Sequence, residues 1–169
     1  MLQTTILTLF PALLIVAAIS DLLTFRIPNW VSLALVGLFV VAVSFAGMSW
    51  AMIAGHVALG LALLFAGMAM FAMNLLGGGD AKLMAAIGLW VGWASLPVYL
   101  AWTAIIGGLL ALSLLMFRRV PLAAAMQTRP WISRLHDRDA GIPYGIALAA
   151  GALFALPQTV WFALAVSGI

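Results

Sequence analysis

The chain carries four acidic side chains, all of them aspartates. Asp21 and Asp80 stand directly against long apolar runs, whereas Asp137 and Asp139 lie in a hydrophilic stretch. A carboxylate beside a membrane-like segment is costly to ionise, so its position needs a reason in topology or in chemistry. Two acids at equal depth on different helices can converge into a dyad. Carboxylates within a few ångströms of each other do not comfortably both ionise; they hold one proton and titrate as a unit. The ionised partner can then take a proton from water while the protonated one hydrogen-bonds a carbonyl under attack. That is the chemistry of aspartic peptide hydrolysis, and it needs no metal and no covalent intermediate.

Other machineries fail on inventory. There is no cysteine, which excludes a disulfide framework, a thiolate zinc site and a cysteine nucleophile. Neither an HExxH nor a GxSxG motif occurs, and His56, within an apolar run, is far in sequence from His136. His56 reads as a packed or interfacial histidine. A Ser–Lys pair would need Lys82 to meet a serine such as Ser20. Lys82 lies two residues after Asp80, so on a helix it faces elsewhere, and its expected role is snorkelling to lipid phosphates. No metal and no cofactor is expected.

The elements that must position the two acids follow from composition. The 169 residues are 67% hydrophobic and 7% charged, with a mean hydropathy of +1.26. A soluble domain is nearer a quarter charged, so the solvent of this chain is largely lipid. The net charge of +3 does not imply nucleic acid, because no basic stripe has aromatic residues threaded through it. The first apolar run lacks a preceding positive charge, and reads as a retained span rather than a signal peptide.

Spans of ~20 apolar residues are expected at about Leu2 to Ser20, Trp30 to Ala46, Ala51 to Leu76, Ala81 to Leu96, Pro97 to Phe117 and Ile142 to Val166. Pro11 is expected to kink the first of these and Pro157 to bend the last. The fold expected is therefore all-α, one polytopic membrane domain over residues 1–169 with six transmembrane helices. Its connections around 21–29, 77–82 and 118–141 hold Arg26, Lys82 and Arg118, Arg119, Arg129, Arg134 and Arg138, which are all the basic side chains. The positive-inside rule makes that face cytoplasmic and both termini external. All four aspartates fall on the same face.

Gly77, Gly78 and Gly79 precede Asp80 in "NLLGGGDAKL". Two readings fit them. They break two helices at a tight turn, or they let an extended peptide approach exposed backbone beside the acids. Asp80 near a helix start also suits a capping role, whereas Asp21 at a helix end is poorly placed with respect to the helix dipole. Asn74 reads as an interhelical hydrogen-bonding residue, and Gly88 with Gly92 as a close-packing pair.

Three segments together resemble one family. "DLLTFRIPN", from Asp21 to Asn29, resembles the D-x5-I-P-N segment of type IV prepilin peptidases; "GGGD", Gly77 to Asp80, resembles their GxGD motif; and "IPYG", Ile142 to Gly145, resembles the opening of their last helix. The three occur in the family's order. The resemblance implies an intramembrane aspartic endopeptidase with Asp21 and Asp80 as its catalytic pair. It would cut short basic leaders, after a glycine, from prepilins at the cytoplasmic face of the bacterial inner membrane, with the substrate's apolar helix lying between the enzyme's spans. The small form resembles the peptidases of Flp, or tight-adherence, pilus systems. Larger members carry an N-terminal cytoplasmic region with paired cysteines linked to N-methylation. None is seen here, so no methyltransferase activity is expected.

Other residues border the site on this reading. Pro28 and Asn29 shape the turn into the second span, Lys82 after Asp80 counts with the three glycines among the residues that bind substrate or shape the site, and Pro143 and Gly145 set the start of the last span. Tyr144 either hydrogen-bonds near the acids or anchors at the interface. Asp137 and Asp139 would attract a positive leader. The expected partners are a prepilin and membrane lipid, with no nucleic acid; oligomeric state is not legible. A proton-coupled transporter and a structural subunit of a secretion complex are the competing classes. The transporter class favours acids near mid-bilayer, which these are not.

Overall fold

The computed structural model describes residues 2–166, with side chains described outside 2–6, 124 and 125. Among the described residues there is helix and no strand. The helices are α1 (Leu2–Thr24), α2 (Asn29–Phe45), α3 (Trp50–Ala72), α4 (Gly78–Phe117), α5 (Ala124–Gln127), α6 (Pro130–His136), α7 (Gly145–Ala155) and α8 (Val160–Val166), with a 3₁₀ turn at Leu156–Gln158. Three of them, α1 over 7–24, α3 and α4, are long and apolar enough to cross a membrane, and α7 with α8 makes a fourth such unit, bent by 50°. α2 is apolar and 17 residues long. The external placement expected for the termini at Met1 and Ile169 falls outside the described residues.

Helix boundaries follow local chemistry. α1 runs through Pro11 and four residues past the expected end at Ser20. It stops where Phe25 turns to φ +55°, with the Phe25 amide bonded to the Asp21 carbonyl. The Ser20 hydroxyl donates to the Arg26 carbonyl at 2.9 Å, and the Thr24 hydroxyl donates to the Ser20 carbonyl at 2.7 Å while accepting from the Arg26 amide at 3.2 Å. These bonds offset the roughly 1–2 kcal/mol that a left-handed non-glycine residue costs. Pro28, extended at φ −61° and ψ 135°, starts α2, and the Ser49 hydroxyl caps α3 by accepting from the Met52 amide. α3 ends at Ala72 rather than Leu76, because Asn74 takes φ +58° in the turn. Asn74 therefore serves a turn, not the interhelical bond expected of it.

The expected break between the fourth and fifth spans lies elsewhere. α4 is a single run of 40 residues with one non-helical residue, Gly92, at φ 69° and ψ 167°. A straight helix of that length would reach ~60 Å. Yet Asp80 at its start shares a cavity with Asp21, Asp21 is bonded to the Gly145 amide, and Arg118 at its end is bonded to the Gly141 carbonyl. Four residues of chain span at most about 14 Å, so both ends of α4 lie at one end of the fold. Ser95, just past the break, instead bonds the Gln158 carbonyl beyond the far end of α7. α4 is thus a hairpin of two arms that reverses at Gly92. Only glycine holds that φ without strain. Pro97, which reads as the stronger breaker, sits near the start of the second arm, where a missing amide proton costs little.

The break leaves the Leu89 carbonyl without the amide of residue 93 as partner. His56 of α3 takes its place, with Nδ1 2.7 Å from that oxygen. Its ring fills the notch, so that a Cβ on Gly92 would lie 2.7 Å from His56 Cε1. Gly92 is therefore a hinge filled by histidine, not half of a small-residue pair; Gly88 does pack closely, against Gly60 and Leu63 of α3. Around this end lie Phe10, Phe39, Trp90 and Trp161. Trp90 stacks on Phe10 at 4.7 Å and donates its indole N–H to the Leu35 carbonyl at 3.0 Å. The bend at Pro157 places Trp161 5.0 Å from Trp90. This aromatic cluster fixes the end of the bundle remote from the acids.

Candidate active site

Asp21 occupies the last turn of α1 and Asp80 the first turn of α4. Both are buried, at 4% and 9% exposure. Together with Phe25, Arg26, Ile27, Asn29 and the three glycines Gly77, Gly78 and Gly79 they line one cavity of about 300 Å³. The two acids selected by their positions in the sequence therefore line the same cavity at one end of the bundle.

Each acid is held by backbone. Asp21 Oδ2 accepts from the Gly145 amide at 2.7 Å. A Cβ on Gly145 would lie 2.8 Å from that oxygen and 3.0 Å from Asp21 Cβ, so only glycine brings the amide this close. Asp80 Oδ2 turns back over Gly77, the residue ahead of α4, and a Cβ there would lie 2.7 Å from it. Asp80 Oδ1 is buried and takes no hydrogen bond from the protein. The capping and site readings of Asp80 coexist: one oxygen folds over the helix start, while the other is free for what the cavity admits. Gly77 is extended at φ −70° and the helix begins at Gly78, so the expected loop 77–82 is mostly helix.

The other expected site residues divide. Pro28, Asn29, Gly145 and the three glycines surround the acids or their supports. Pro143 is fully buried and its carbonyl accepts from the Ile146 amide as α7 starts. Tyr144 packs its ring on Gly107 of the second arm. The Lys82 ammonium donates to Asn29 Oδ1 at 3.0 Å. Asp137 and Asp139 do not line the acid cavity; Asp137 ends α6 and accepts from the Asp139 amide at 3.0 Å.

Two contributors were not singled out from sequence. Ile27 is buried between the acid-bearing parts, within 3.3 Å of a Cβ placed on Gly79 and 2.8 Å of one placed on Gly145; its signal was its place beside Pro28 and Asn29. Arg118 ties the 118–141 connection down by donating to the carbonyls of Leu135, Ala140 and Gly141 at 2.8, 2.9 and 2.8 Å. Nothing local marked it among the arginines. No group of three histidine or acidic side chains suited to a metal comes together among the described residues.

A second cavity, of about 470 Å³ and almost wholly apolar, opens between Leu33 and Val36 of α2, Leu61 and Leu64 of α3, and Ala85 and Leu89 of α4. Asn29 lines both cavities and Lys82 lines the second. The apolar groove and the acid cavity thus adjoin at Asn29.

The fold and site define a helical membrane protein with a buried pair of carboxyls at one end of its bundle. Residues 8–112 match the model of the type IV leader peptidase family, and the chain belongs to that family. Over 81 residues it is 31% identical to prepilin leader peptidase/N-methyltransferases of Aeromonas hydrophila and of Aeromonas salmonicida, including strain A449. That stretch is 48% of this chain and 22% of each relative, so the similarity covers under a quarter of their length. No solved structure matches the chain.

Proposed function

We propose that the chain is an intramembrane aspartic endopeptidase that removes leader peptides from prepilins, of the Flp type, at the cytoplasmic face of the inner membrane. The observation that supports this reading is that Asp21 and Asp80, both buried, line one cavity, in a member of the leader peptidase family. The two carboxyls share one proton. The ionised acid takes a proton from water, and the resulting hydroxide adds to the scissile carbonyl carbon. The protonated acid gives its proton to the carbonyl oxygen. Collapse of the tetrahedral diol breaks the C–N bond, the amine leaves with a proton, and the pair returns to its starting state.

Six crossings accommodate this: α1, α2, α3, the two arms of α4, and α7 with α8. Every lysine and arginine then lies on the acid side, which is the cytoplasmic side, and both termini are external. The apolar groove receives the helix that follows the leader in the substrate, with the cleaved bond at its Asn29 end.

Co-expression with a prepilin carrying a short basic leader, read by gel mobility, tests the reading. Asp21→Asn and Asp80→Asn each abolish leader removal while the protein still accumulates in the membrane. Cleavage surviving in either variant refutes it.

A further inference from the structure

Asn29 is the first residue of α2, one position past the N-cap Pro28. Its side chain accepts from Lys82, 53 positions away, across the junction of the apolar groove and the acid cavity.

The chemistry of that contact fixes an orientation. A lysine ammonium has donors and no acceptor, so an asparagine facing it must present its oxygen. The planar amide then turns its nitrogen, with two N–H donors, away from Lys82. Among the described residues no hydrogen bond uses those donors. Asn29 lines the cavity that holds the acids, where an extended peptide would lay its backbone carbonyls.

We infer that Asn29 binds a backbone carbonyl of the substrate near the cleaved bond, and that Lys82 positions it by locking its amide with the N–H groups towards the peptide. This rests on the peptidase reading above. The carbonyl concerned is not the scissile one, which the protonated acid serves, so the contact exists equally in ground and transition states. Loss of such a contact raises KM and leaves kcat in place.

The test is steady-state cleavage of a purified prepilin by the full-length protein in detergent, with thermal unfolding of each variant followed by tryptophan fluorescence. Asn29→Ala raises KM roughly three- to tenfold, the range for one neutral hydrogen bond, with kcat within about twofold. Lys82→Met raises KM by a smaller factor, since the amide is then free to rotate. Lys82→Arg, which also only donates, restores the wild-type KM. Lys82→Glu, which only accepts, turns the asparagine oxygen to the peptide and raises KM beyond the Asn29→Ala value. Adding Lys82→Met to Asn29→Ala changes nothing further, because the lysine acts through the asparagine.

Full additivity of those two changes, a fall in kcat at unchanged KM, or an unchanged KM in Asn29→Ala each overturns the inference. A KM effect that tracks loss of thermal stability across the set overturns it too. If Asp21→Asn and Asp80→Asn are inactive in the same assay while the Asn29 series behaves as wild type, this inference fails and the peptidase reading stands. If the aspartate variants stay active, the peptidase reading itself fails.

Discussion

Replacing Gly145 by alanine asks whether the site depends on where Asp21 is held. The new methyl group would lie 2.8 Å from Asp21 Oδ2 and from Ile27 Cδ1, and 3.0 Å from Asp21 Cβ. Ordinary contact begins at 3.4 Å, so the closest approaches fall short by about 0.6 Å, deep in the repulsive wall. Swinging the carboxyl aside does not relieve the contact with Asp21 Cβ, which belongs to the stem of the side chain. Either α1 or the segment before α7 must move.

Such overpacking costs about 1–3 kcal/mol, and it stretches the amide bond of 2.7 Å that aims Asp21. A displacement near 1 Å at a catalytic group can cost about a hundredfold in rate. Gly145→Ala should therefore lower kcat for leader cleavage by roughly 30- to 100-fold while the protein still inserts. Gly108→Ala is the matched control: nothing lies within 4 Å of its Cβ position, so activity is unchanged and stability rises by up to about 1 kcal/mol. Activity is read on purified prepilin and folding by tryptophan fluorescence on heating. If Gly145→Ala keeps more than about a third of the wild-type kcat, the claim that this glycine sets the acid's position is wrong.

Further outcomes follow from the same contacts. His56→Ala leaves the part-buried Leu89 carbonyl without its partner and should cost about 1–3 kcal/mol of stability, seen as a lower unfolding temperature, while kcat per folded molecule holds. Val36→Trp fills the apolar groove and should raise KM for a full prepilin, leaving cleavage of a short leader peptide that lacks the apolar helix unchanged. Arg118→Ala removes three bonds to carbonyls, so trypsin should nick the 118–141 connection at Arg129 or Arg134 faster than in the wild type. Reversing Asp137 and Asp139 together to lysine should raise KM for a basic leader; an unmoved KM removes them from leader binding.

What could be seen in the sequence was what charge and hydropathy mark locally. Asp21 and Asp80 stood out because carboxylates beside apolar runs are rare, and the structure brings both into one cavity. The helical class and the bend at Pro157 were legible for the same kind of reason. Gly92 was not, because a lone glycine signals less than a proline and its role depends on His56, 36 positions earlier in the chain. The contact that Lys82 makes was not legible because a lysine at a membrane boundary has a default role. Its partner Asn29 lies on another helix, and no local pattern announces the pair. The tie from Arg118 depends on carbonyls 17 to 23 residues away, which a chain of similar arginines cannot distinguish.

The way the acids are held bears on what they can do. A guanidinium or ammonium bonded to either carboxyl would commit that acid to its ionised form and end the sharing of a proton on which the proposed chemistry depends. Here the holders are uncharged: a backbone amide at Asp21, the Gly77 backbone at Asp80, and no partner at Asp80 Oδ1. Arg26 lines the same cavity, with no ion pair to either acid among the contacts of the described residues, Lys82 is drawn off to Asn29, and Arg118 is spent on carbonyls. At both positions a Cβ would crowd the carboxyl, at 2.7 Å from Asp80 Oδ2 and 2.8 Å from Asp21 Oδ2, so glycines flank the pair. The hairpin of α4 completes the arrangement. By reversing at Gly92 it returns Arg118 to the end where it began at Asp80, so the tie on Gly141 steadies the segment whose Gly145 amide aims Asp21.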